Sequence, residues 1–420
     1  MDSVIRRSIP FSPPDITEAE IQEVTDALQS GWITTGPKTK ELERLVATRC
    51  KTERAVCLNS NTACSELTLR LLGVGPGDEV IVPAYTYTAT ASVIAHVGAT
   101  IVMVDCEKNS FNWDYQQLED AITSRTKVII PVDLFGIPAD YDRIFKIIQQ
   151  KKNLFHPSQN RPAGQPVDPS CLGERIQESI GRVIVMADSA HSFGAFYQGK
   201  PIGSVADFTN FSFHAVKNLT TAEGGAVVWR KIEGIDSNEL YRQYMLFSLH
   251  GQSKEALAKV ESGSWEYDVS APLFKCNMTD VHAAIGLAQI RRFDQILQRK
   301  KQLIERYDKA FRSLPVTLLC HYTDQYLSSG HLYVVRLNDR TREQTNRIIM
   351  RLSSLGVAAN VHYKPLPLLT AYRNLGFDIN SFPNAFCQYE NEISLPLYSR
   401  MTDEEADYVI SCFIEAIGSL

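Results

Sequence analysis

The sequence lacks any apolar stretch long enough to span a bilayer, because a charged residue, a proline or a glycine interrupts every apolar run. Residues 1–10 include two arginines but no apolar segment of the kind that a signal peptide needs. A dense basic cluster is missing as well, and the formal net charge is -5. Since proteins that bind nucleic acids usually present a basic surface, these absences favour a small-molecule substrate and argue against a nucleic-acid or membrane partner.

Patterns that hold disulfides or metals are also missing. The nine cysteines are scattered and odd in number, and no two of them form a Cys-x-x-Cys pair. We therefore expect reduced thiols in the cytoplasm rather than a secreted disulfide framework. No His-Glu-x-x-His spacing supports a metal site, and no Walker loop offers a phosphate cradle. A bound phosphate would need hydroxyls and backbone amides at a helix N-terminus instead.

What the sequence does contain is a regular alternation of short apolar runs and helix-length segments. The β-rich runs lie at 80–83, 100–105, 128–132 and 183–187. This alternation is typical of an α/β fold whose mostly parallel sheet is covered by helices on both faces. A chain of 420 residues suits two or three domains. We expect a large domain over 1–275, a connecting helical segment over 276–312 and a smaller C-terminal α/β domain over 313–420.

Some segments carry more specific expectations. Residues 153–180 are rich in Pro, Gln, Asn and Ser, a composition that predicts a long surface loop inserted into the large domain. Residues 279–311 have the pattern of helices, with Thr279 or Asp280 as the cap. The apolar runs 332–337 and 358–362 predict strands of the smaller domain.

Lys217 is a candidate catalytic residue. It lies in the segment 211–225, Phe-Ser-Phe-His-Ala-Val-Lys-Asn-Leu-Thr-Thr-Ala-Glu-Gly-Gly, downstream of Asp188, which follows the apolar run 183–187. A lysine amine that can form a Schiff base, together with a carboxylate that can pair with a ring nitrogen, suits pyridoxal 5′-phosphate (PLP). Taken singly, Lys217 could be an ordinary surface lysine and Asp188 a helix N-cap. Their occurrence together in these motifs favours the cofactor.

Further motifs extend through nearly the whole chain. They are Gly-Trp-Ile-Thr-Thr-Gly-Pro at 31–37, Asp-Ser-Ala-His at 188–191, Phe-Ser-Phe-His at 211–214 and Ser-Leu-Pro-Leu-Tyr at 394–398. In this order they resemble the DegT/DnrJ/EryC1/StrS family of PLP-dependent nucleotide-sugar aminotransferases. The resemblance implies an aspartate-aminotransferase-like large domain of PLP fold type I. It also implies a homodimer with active sites at the interface.

The resemblance assigns roles to individual residues. Lys217 and Asp188 are implied to be catalytic, Lys217 as the Schiff-base partner that also carries a proton and Asp188 against the ring nitrogen. The other residues implied to bind the cofactor are Thr62, Ala63 and Ser212 at the phosphate, Tyr87 stacked on the ring, His191 near the ring hydroxyl and Asn277 from the other subunit. His362 and Tyr363 are implied to face the sugar nucleotide. Asn277 could equally be a capping residue before Thr279.

Two positions depart from the family pattern. Asn61 stands where a glycine is usual, in a turn for which we expect a left-handed backbone that asparagine tolerates better than most residues. Pro367 follows the segment His362-Tyr363-Lys364-Pro365, where the family often has a second histidine. The turn should therefore survive, whereas the sugar specificity need not follow the family.

The implied reaction moves an amino group from an amino acid, L-glutamate by family analogy, to a nucleoside-diphosphate keto-deoxysugar in polysaccharide or glycoconjugate biosynthesis. Two alternatives stay open. A PLP-dependent sugar 3-dehydratase of the same family is disfavoured, because that branch has histidine in place of Lys217. A non-catalytic PLP-binding regulatory relative would share the fold. An amino donor that bleaches the absorbance of the bound cofactor would argue for catalysis.

Overall fold

The computed structural model describes residues 7–158, 171–252 and 267–418. Its strands are β1 (Ala55–Leu58), β2 (Glu79–Pro83), β3 (Thr100–Val104), β4 (Thr126–Ile129), β5 (Ile184–Asp188), β6 (Phe196–Tyr197), β7 (Lys200–Pro201), β8 (Phe208–Ser212), β9 (Gly225–Trp229), β10 (Val316–Leu318), β11 (Tyr326–Leu327), β12 (Tyr333–Leu337) and β13 (Glu392–Leu395). They form one large sheet and two small ones.

The large sheet has seven strands in the order β1-β9-β8-β5-β4-β2-β3. From β3 across to β8 every neighbouring pair is parallel, whereas β9 is antiparallel to both β8 and β1. The expected mostly parallel sheet is therefore confirmed. Because parallel strands end at the same edge, Asp188 at the end of β5 and Ser212 at the end of β8 are brought to one side of the sheet.

The helices are α1 (Glu18–Ser30), α2 (Pro37–Cys50), α3 (Asn61–Leu71), α4 (Thr88–His96), α5 (Tyr115–Ala121), α6 (Tyr141–Gln150), α7 (Leu172–Ile180), α8 (Ser237–Ser248), α9 (Asp280–Arg291), α10 (Phe293–Phe311), α11 (Arg342–Ser354), α12 (Thr370–Asn374), α13 (Pro383–Glu390) and α14 (Asp403–Gly418). Helices cover both faces of the large sheet. Along β2, Val80 and Val82 belong to one apolar cluster and Ile81 to another, because successive side chains of a strand point to opposite faces. Within the described ranges, no helix has the length and apolarity needed to cross a membrane.

Asp280 joins the start of α9 to the start of α2. Its buried carboxylate accepts hydrogen bonds from the backbone amides of Gly36 (2.8 Å), Lys38 (3.0 Å) and Thr39 (2.9 Å), and from the Thr39 hydroxyl (2.7 Å). It therefore supplies the cap that α2 lacks in its own sequence, where Gly36 has no side chain. Of the two candidate caps for α9, Thr279 is the one that accepts from a backbone amide of the helix.

A second, three-stranded sheet of order β10-β12-β13 lies in the C-terminal part. A third apolar cluster packs there and includes Leu303 and Tyr307 of α10, Val335 of β12 and Phe413 of α14. The strand expected at 332–337 is confirmed by β12. The domain boundaries expected at 275 and 312 stay predictions.

Two expectations about local structure are wrong. Residues 172–180 do not belong to a loop but form α7, because Ile176 and its helical neighbours Leu172 and Ile180 pack on the core and Gly181 ends the helix with a φ of 63°. Residues 159–170 of the expected loop lie outside the described residues. The strand expected at 358–362 is also absent; Ala358 and Asn360 are exposed, and the segment makes only one isolated bridge, between Asn360 and Ser394.

Candidate active site

A cavity of about 430 Å³ opens where β5 and β8 end. The side chains that line it come from the large sheet, from the first turns of α3 and α4, and from the segment after α11. Among them are the predicted site residues Thr62, Tyr87, Asp188, His191, Ser212, Lys217, His362 and Tyr363. The structure therefore brings together residues that are spread over three hundred positions of sequence.

Lys217 lies in the loop between β8 and β9. The loop is closed by backbone bonds from Phe213 to Gly224 and from Thr221 to Phe213, both 2.8 Å. Burial lowers the pKa of the Lys217 amine to about 8, and the nearby Asp188 opposes this shift. A lysine with such a pKa is neutral in about a tenth of the molecules at pH 7, far more than an exposed lysine, so its amine can act as a nucleophile and can exchange a proton.

Asp188 is held by three hydrogen bonds. Its Oδ1 accepts from Asn61 Nδ2 (2.9 Å) and from the amide of Ala190 (3.2 Å), and its Oδ2 accepts from Thr90 Oγ1 (2.7 Å). Only 6% of the residue's surface is exposed. No α-helix begins after Asp188, so the alternative that it is a helix N-cap is wrong. A buried carboxylate beside a cavity suits a cationic group on a ligand.

Asn61 does not adopt the left-handed backbone that we expected. It is the first residue of α3, with Ser60 as the N-cap. The close approach that requires a glycine is made by Gly225 instead, where an added Cβ would lie 2.4 Å from the backbone nitrogen of Asn61. The Asn61 side chain is free to reach Asp188, and its Oδ1 is buried without a hydrogen-bond partner among the described residues.

The N-terminus of α3 presents polar groups to the cavity. The side chains of Thr62 and Ser212 line it, and the positive end of the helix dipole favours an anion there. Ala63 does not line the cavity, and its amide already donates to the Oγ of Ser60 at 3.0 Å. Thr62 and Ser212 are therefore the predicted phosphate residues that a ligand in the cavity could reach through side-chain hydroxyls.

His191 lines the cavity and contacts two distant parts of the chain, Phe135 and Tyr363. The amide of Phe135 donates to Nδ1 at 3.2 Å, so neutral His191 carries its hydrogen on Nε2, which lies 2.9 Å from the hydroxyl of Tyr363. Burial and the nearby Lys217 lower the pKa of His191 well below its usual range. The ring of Tyr87 lies 5.6 Å from that of Tyr363 and is 57% exposed, so one of its faces is available to a planar ligand.

Asn277, like Ala63, is a predicted site residue that does not line the cavity of its own chain. Its Nδ2 donates to Thr35 Oγ1 at 2.6 Å, and its Oδ1 accepts from Lys275. The helix cap is Thr279, so the alternative that Asn277 caps α9 is wrong. Thr35 also donates to the carbonyl of Met278 at 2.7 Å, which ties the segment around Asn277 to residues 34–36.

Several residues of the site were missed by the sequence analysis. Phe11 stacks on His362 with ring centroids 5.3 Å apart, His331 lies 4.3 Å from the ring of His191, and Thr90 holds Asp188. Buried Lys300 donates to Asn218 Oδ1 at 2.6 Å, beside Lys217. None of these residues lies in a motif that indicates a chemical role. Only their proximity to Asp188 and Lys217 in the folded structure identifies them, so the sequence offers no signal for them.

The residues present fit PLP. An amine with a lowered pKa and a buried carboxylate line the same cavity, an exposed aromatic face adjoins them, and hydroxyls stand at a helix N-terminus. Glycines provide close contacts behind the lysine loop, since an added Cβ on Gly224 would lie 2.1 Å from Thr221 Oγ1. Among the residues that the structure describes, no cluster of three or more His, Cys, Asp or Glu side chains could hold a metal ion.

Comparisons with known proteins agree with this arrangement. The sequence matches the model of the DegT/DnrJ/EryC1/StrS aminotransferase family over residues 14–155 and 163–414. It is 36% identical over 406 residues to the spore coat polysaccharide biosynthesis protein SpsC of Bacillus subtilis, covering 96% of this chain and 95% of that protein.

Solved structures give the same result. The PMP form of the putative sugar aminotransferase Spr1654 from Streptococcus pneumoniae is similar with a TM-score of 0.92 and 53% identity, over 98% of this chain and 99% of that one. PseC of Helicobacter pylori, an aminotransferase involved in the biosynthesis of pseudoaminic acid, is similar with a TM-score of 0.82 and 26% identity, over 99% of this chain and 100% of that one.

Proposed function

The chain belongs to the DegT/DnrJ/EryC1/StrS aminotransferase family, and from this premise we propose the reaction of this PLP-dependent sugar aminotransferase. It moves an amino group from an amino acid, L-glutamate, to the ketone of a nucleoside-diphosphate keto-deoxysugar. The product serves the synthesis of a polysaccharide or glycoconjugate. This setting is supported by the similarity to SpsC, a spore coat polysaccharide biosynthesis protein.

Lys217 is the residue that binds the cofactor covalently and transfers the proton. When bound, PLP supplies an aldehyde that bonds to amines and a ring that accepts electrons. The free Lys217 amine lies in the cavity, where burial lowers its pKa to about 8. Such an amine can take a proton from a carbon acid and return it to a neighbouring atom, because both of its protonation states are populated near neutral pH.

Asp188 pairs with the ring nitrogen and keeps it protonated. Asn61 and Thr90 fix the orientation of the carboxylate from two sides, at 2.9 Å and 2.7 Å. Because the site is buried, the attraction between a carboxylate and a protonated ring is stronger than it would be in water. Neither Asn61 nor Thr90 carries a charge that would compete with the ring for the carboxylate.

The remaining roles follow the shape of the cavity. Thr62 and Ser212 bind the phosphate together with the N-terminus of α3, and Tyr87 stacks on the ring. His191 donates from Nε2 to the ring hydroxyl, in place of its present bond to Tyr363. His362 and Tyr363 face the sugar nucleotide. Ala63 contributes to the phosphate site only if its amide leaves Ser60.

The chain acts as a homodimer in which Asn277 serves the partner's cofactor. This assignment is supported by the position of Asn277 outside its own cavity. An apolar surface groove near the lysine loop, lined by Pro14, Ile16, Ile21, Ala215 and Ile285, is a surface that a second copy would cover. Ile21 is 53% exposed in the single chain.

The observation that carries the proposal is the presence of Lys217 and Asp188 in one buried cavity. The first test is to load the purified protein with PLP, reduce it with borohydride and map the labelled peptide. The second is to identify by mass spectrometry the products formed from glutamate and a panel of nucleotide keto-sugars. We expect the label on Lys217, no label in Lys217→Ala and normal labelling in Lys200→Ala, which removes an exposed lysine. A label on another lysine would contradict the assignment, and glutamate that leaves the cofactor absorbance unchanged would contradict the proposed donor.

The shared site has its own test. Lys217→Ala and Asn277→Ala dimers are each expected to be inactive, whereas subunit exchange creates hybrids in which both lesions fall in one of the two sites. Mixing should then restore about a quarter of the wild-type activity, because half of the dimers are hybrids with one intact site. If mixing restores nothing, Asn277 serves its own chain or the structure of that chain.

A further inference from the structure

Two buried residues behind His362 have no role in the reaction described above. Glu392 and Ser394, on β13, are both fully buried. Ser394 Oγ lies 2.9 Å from Nδ1 of His362 and 2.5 Å from Oε1 of Glu392, and the backbone amide of His362 donates to Oε2 of the same carboxyl at 3.0 Å. Together, His362, Ser394 and Glu392 form a continuous hydrogen-bonded relay that ends at the cavity.

The position of the relay is fixed by other contacts. Asn360 and Ser394 exchange two backbone hydrogen bonds of 3.0 Å and 2.8 Å, and the Tyr85 hydroxyl donates to the carbonyl of His362 at 2.9 Å. Phe11 stacks on the His362 ring. Since Nδ1 is occupied by Ser394, the nitrogen left for a ligand is Nε2, which makes no hydrogen bond to any described residue.

We propose that Glu392 and Ser394 are positioning residues that set the tautomer of His362. Nε2 of His362 then donates a hydrogen bond into the cavity when Glu392 carries a proton, and accepts one when Glu392 is ionised. Only the expected effect on the KM for the keto-sugar rests on the proposed function. The tautomer of His362 can be measured without a substrate.

Hydrogen-bond counting gives the protonated state. Oε2 of Glu392 faces an amide N–H, which can only donate, so a proton on the carboxyl must reside on Oε1. Oε1–H then donates to Ser394 Oγ, the hydroxyl hydrogen of Ser394 turns to Nδ1, and neutral His362 carries its own hydrogen on Nε2. In the ionised state Oε1 accepts from Ser394, Oγ accepts from Nδ1–H, and Nε2 has a free lone pair.

Both states lie within an accessible range of pH. Burial raises the pKa of Glu392 to about 8, opposed by the Ser394 hydroxyl, the His362 amide and the guanidinium of Arg342. Burial and the cationic Lys217 lower the pKa of His362 to about 4, so the ring stays neutral while Glu392 titrates. The other titratable groups that face Glu392 are Tyr85 and Tyr363, whose pKa values are raised by burial, so both stay protonated over this range.

The two states favour different ligands. Ketone, carboxylate and phosphate oxygens only accept hydrogen bonds, so they are matched by Nε2–H. An ammonium group only donates, so it is matched by the bare Nε2. A keto-sugar that places an acceptor oxygen at His362 should therefore bind more weakly once Glu392 has ionised, by about two- to tenfold for one hydrogen bond.

The experiment is nitrogen NMR of the cofactor-free protein labelled with 15N-histidine, in which the two ring nitrogens report the tautomer directly. The signals of His362 are identified by their loss in His362→Gln. Glu392→Gln is the matched variant, because its oxygen must accept the His362 amide and its NH2 must donate to Ser394, which imitates the protonated carboxyl. We expect Nε2–H in Glu392→Gln at every pH, whereas the wild type changes to Nδ1–H between about pH 6.5 and 9.5.

Ser394→Ala breaks the relay, so the change of tautomer with pH should vanish in that variant. The proposal is overturned if wild type at high pH and Glu392→Gln show the same tautomer, or if Ser394→Ala keeps the pH-dependent change. As a second readout, the KM for the keto-sugar should rise with pH in the wild type but not in Glu392→Gln. Lack of turnover with every keto-sugar would count against the proposed function and leave the NMR result standing.

Discussion

Replacing Lys300 by methionine should change the dependence of stability on pH. Lys300, on α10, is 3% exposed, and its Nζ donates to Asn218 Oδ1 at 2.6 Å and to the carbonyl of His331 at 3.1 Å. Burial lowers its pKa to about 7, and the positive charge of Lys217 contributes to the shift. Above about pH 7 the folded protein therefore holds Lys300 mostly in its neutral form, which still donates both hydrogen bonds.

The sign follows from proton binding. Between pH 7 and the ordinary lysine pKa of about 10.4, the unfolded chain holds a proton on Lys300 that the folded chain has released. Raising the pH therefore stabilises the folded state by roughly 1.4 kcal/mol per pH unit. The stability of the wild type relative to Lys300→Met should increase by roughly 3 kcal/mol from pH 7 to 9.5. At high pH the variant should be the less stable, because methionine leaves the buried carbonyl of His331 without its donor, at about 1–3 kcal/mol, and Asn218 Oδ1 keeps only its contact with His331 Nδ1 at 3.3 Å.

The assay is urea unfolding of the cofactor-free wild type and variant at several pH values, with the difference in unfolding free energy plotted against pH. Contributions from other groups cancel in the difference to the extent that they are common to both proteins. Lys301→Met is the matched control, because the neighbouring Lys301 side chain is 50% exposed; its difference should be flat. A flat difference for Lys300→Met as well would refute the inference that Lys300 is buried in its neutral form.

Three further substitutions test the support around the site. Asn61→Ala removes a hydrogen bond to the Asp188 carboxylate, and urea unfolding should show a loss of about 1.5–3 kcal/mol; an unchanged midpoint would show that the bond contributes nothing. Gly225→Ala places a Cβ 2.4 Å from the backbone nitrogen of Asn61. PLP titration followed by absorbance should show weaker binding, and the free energy of unfolding should fall by about 1–3 kcal/mol; wild-type affinity would contradict the close packing. Asp280→Ala leaves the start of α2 uncapped, so the free energy of thermal unfolding should fall by at least about 2 kcal/mol. Asp280→Asn keeps one oxygen acceptor and should lose less.

The fold and the centre of the site could be predicted from the sequence because their signals are local. The parallel strands are short apolar runs, and Asp188 and Lys217 follow two of them within motifs that match the family. The family, the PLP fold and the cofactor are confirmed by the comparisons. The roles of the individual site residues stay proposals.

What could not be predicted depends on contacts between distant segments. The bond from Asn61 to Asp188 spans 127 positions, and the relay from His362 to Glu392 needs the pairing of two C-terminal segments that periodicity does not reveal. The polar composition of 153–180 predicted a loop, although Leu172, Ile176 and Ile180 have the spacing of one face of a helix and lie in α7. The apolar run 358–362 also misled, because Ala358 and Asn360 are exposed and the segment pairs with β13 only through the bridge between Asn360 and Ser394.

The network around Asp280 and Thr35 has a consequence for evolution. The Asp280 carboxylate caps α2, and the Thr35 hydroxyl is hydrogen-bonded to both Asn277 and Met278. The Gly-Trp-Ile-Thr-Thr-Gly-Pro segment therefore holds the segment that carries Asn277 in position. A change in either segment alone would displace the other. Substitutions at Thr35 or Gly36 should therefore be accepted only alongside compensating ones near 277–280, and the two segments should be inherited as a unit.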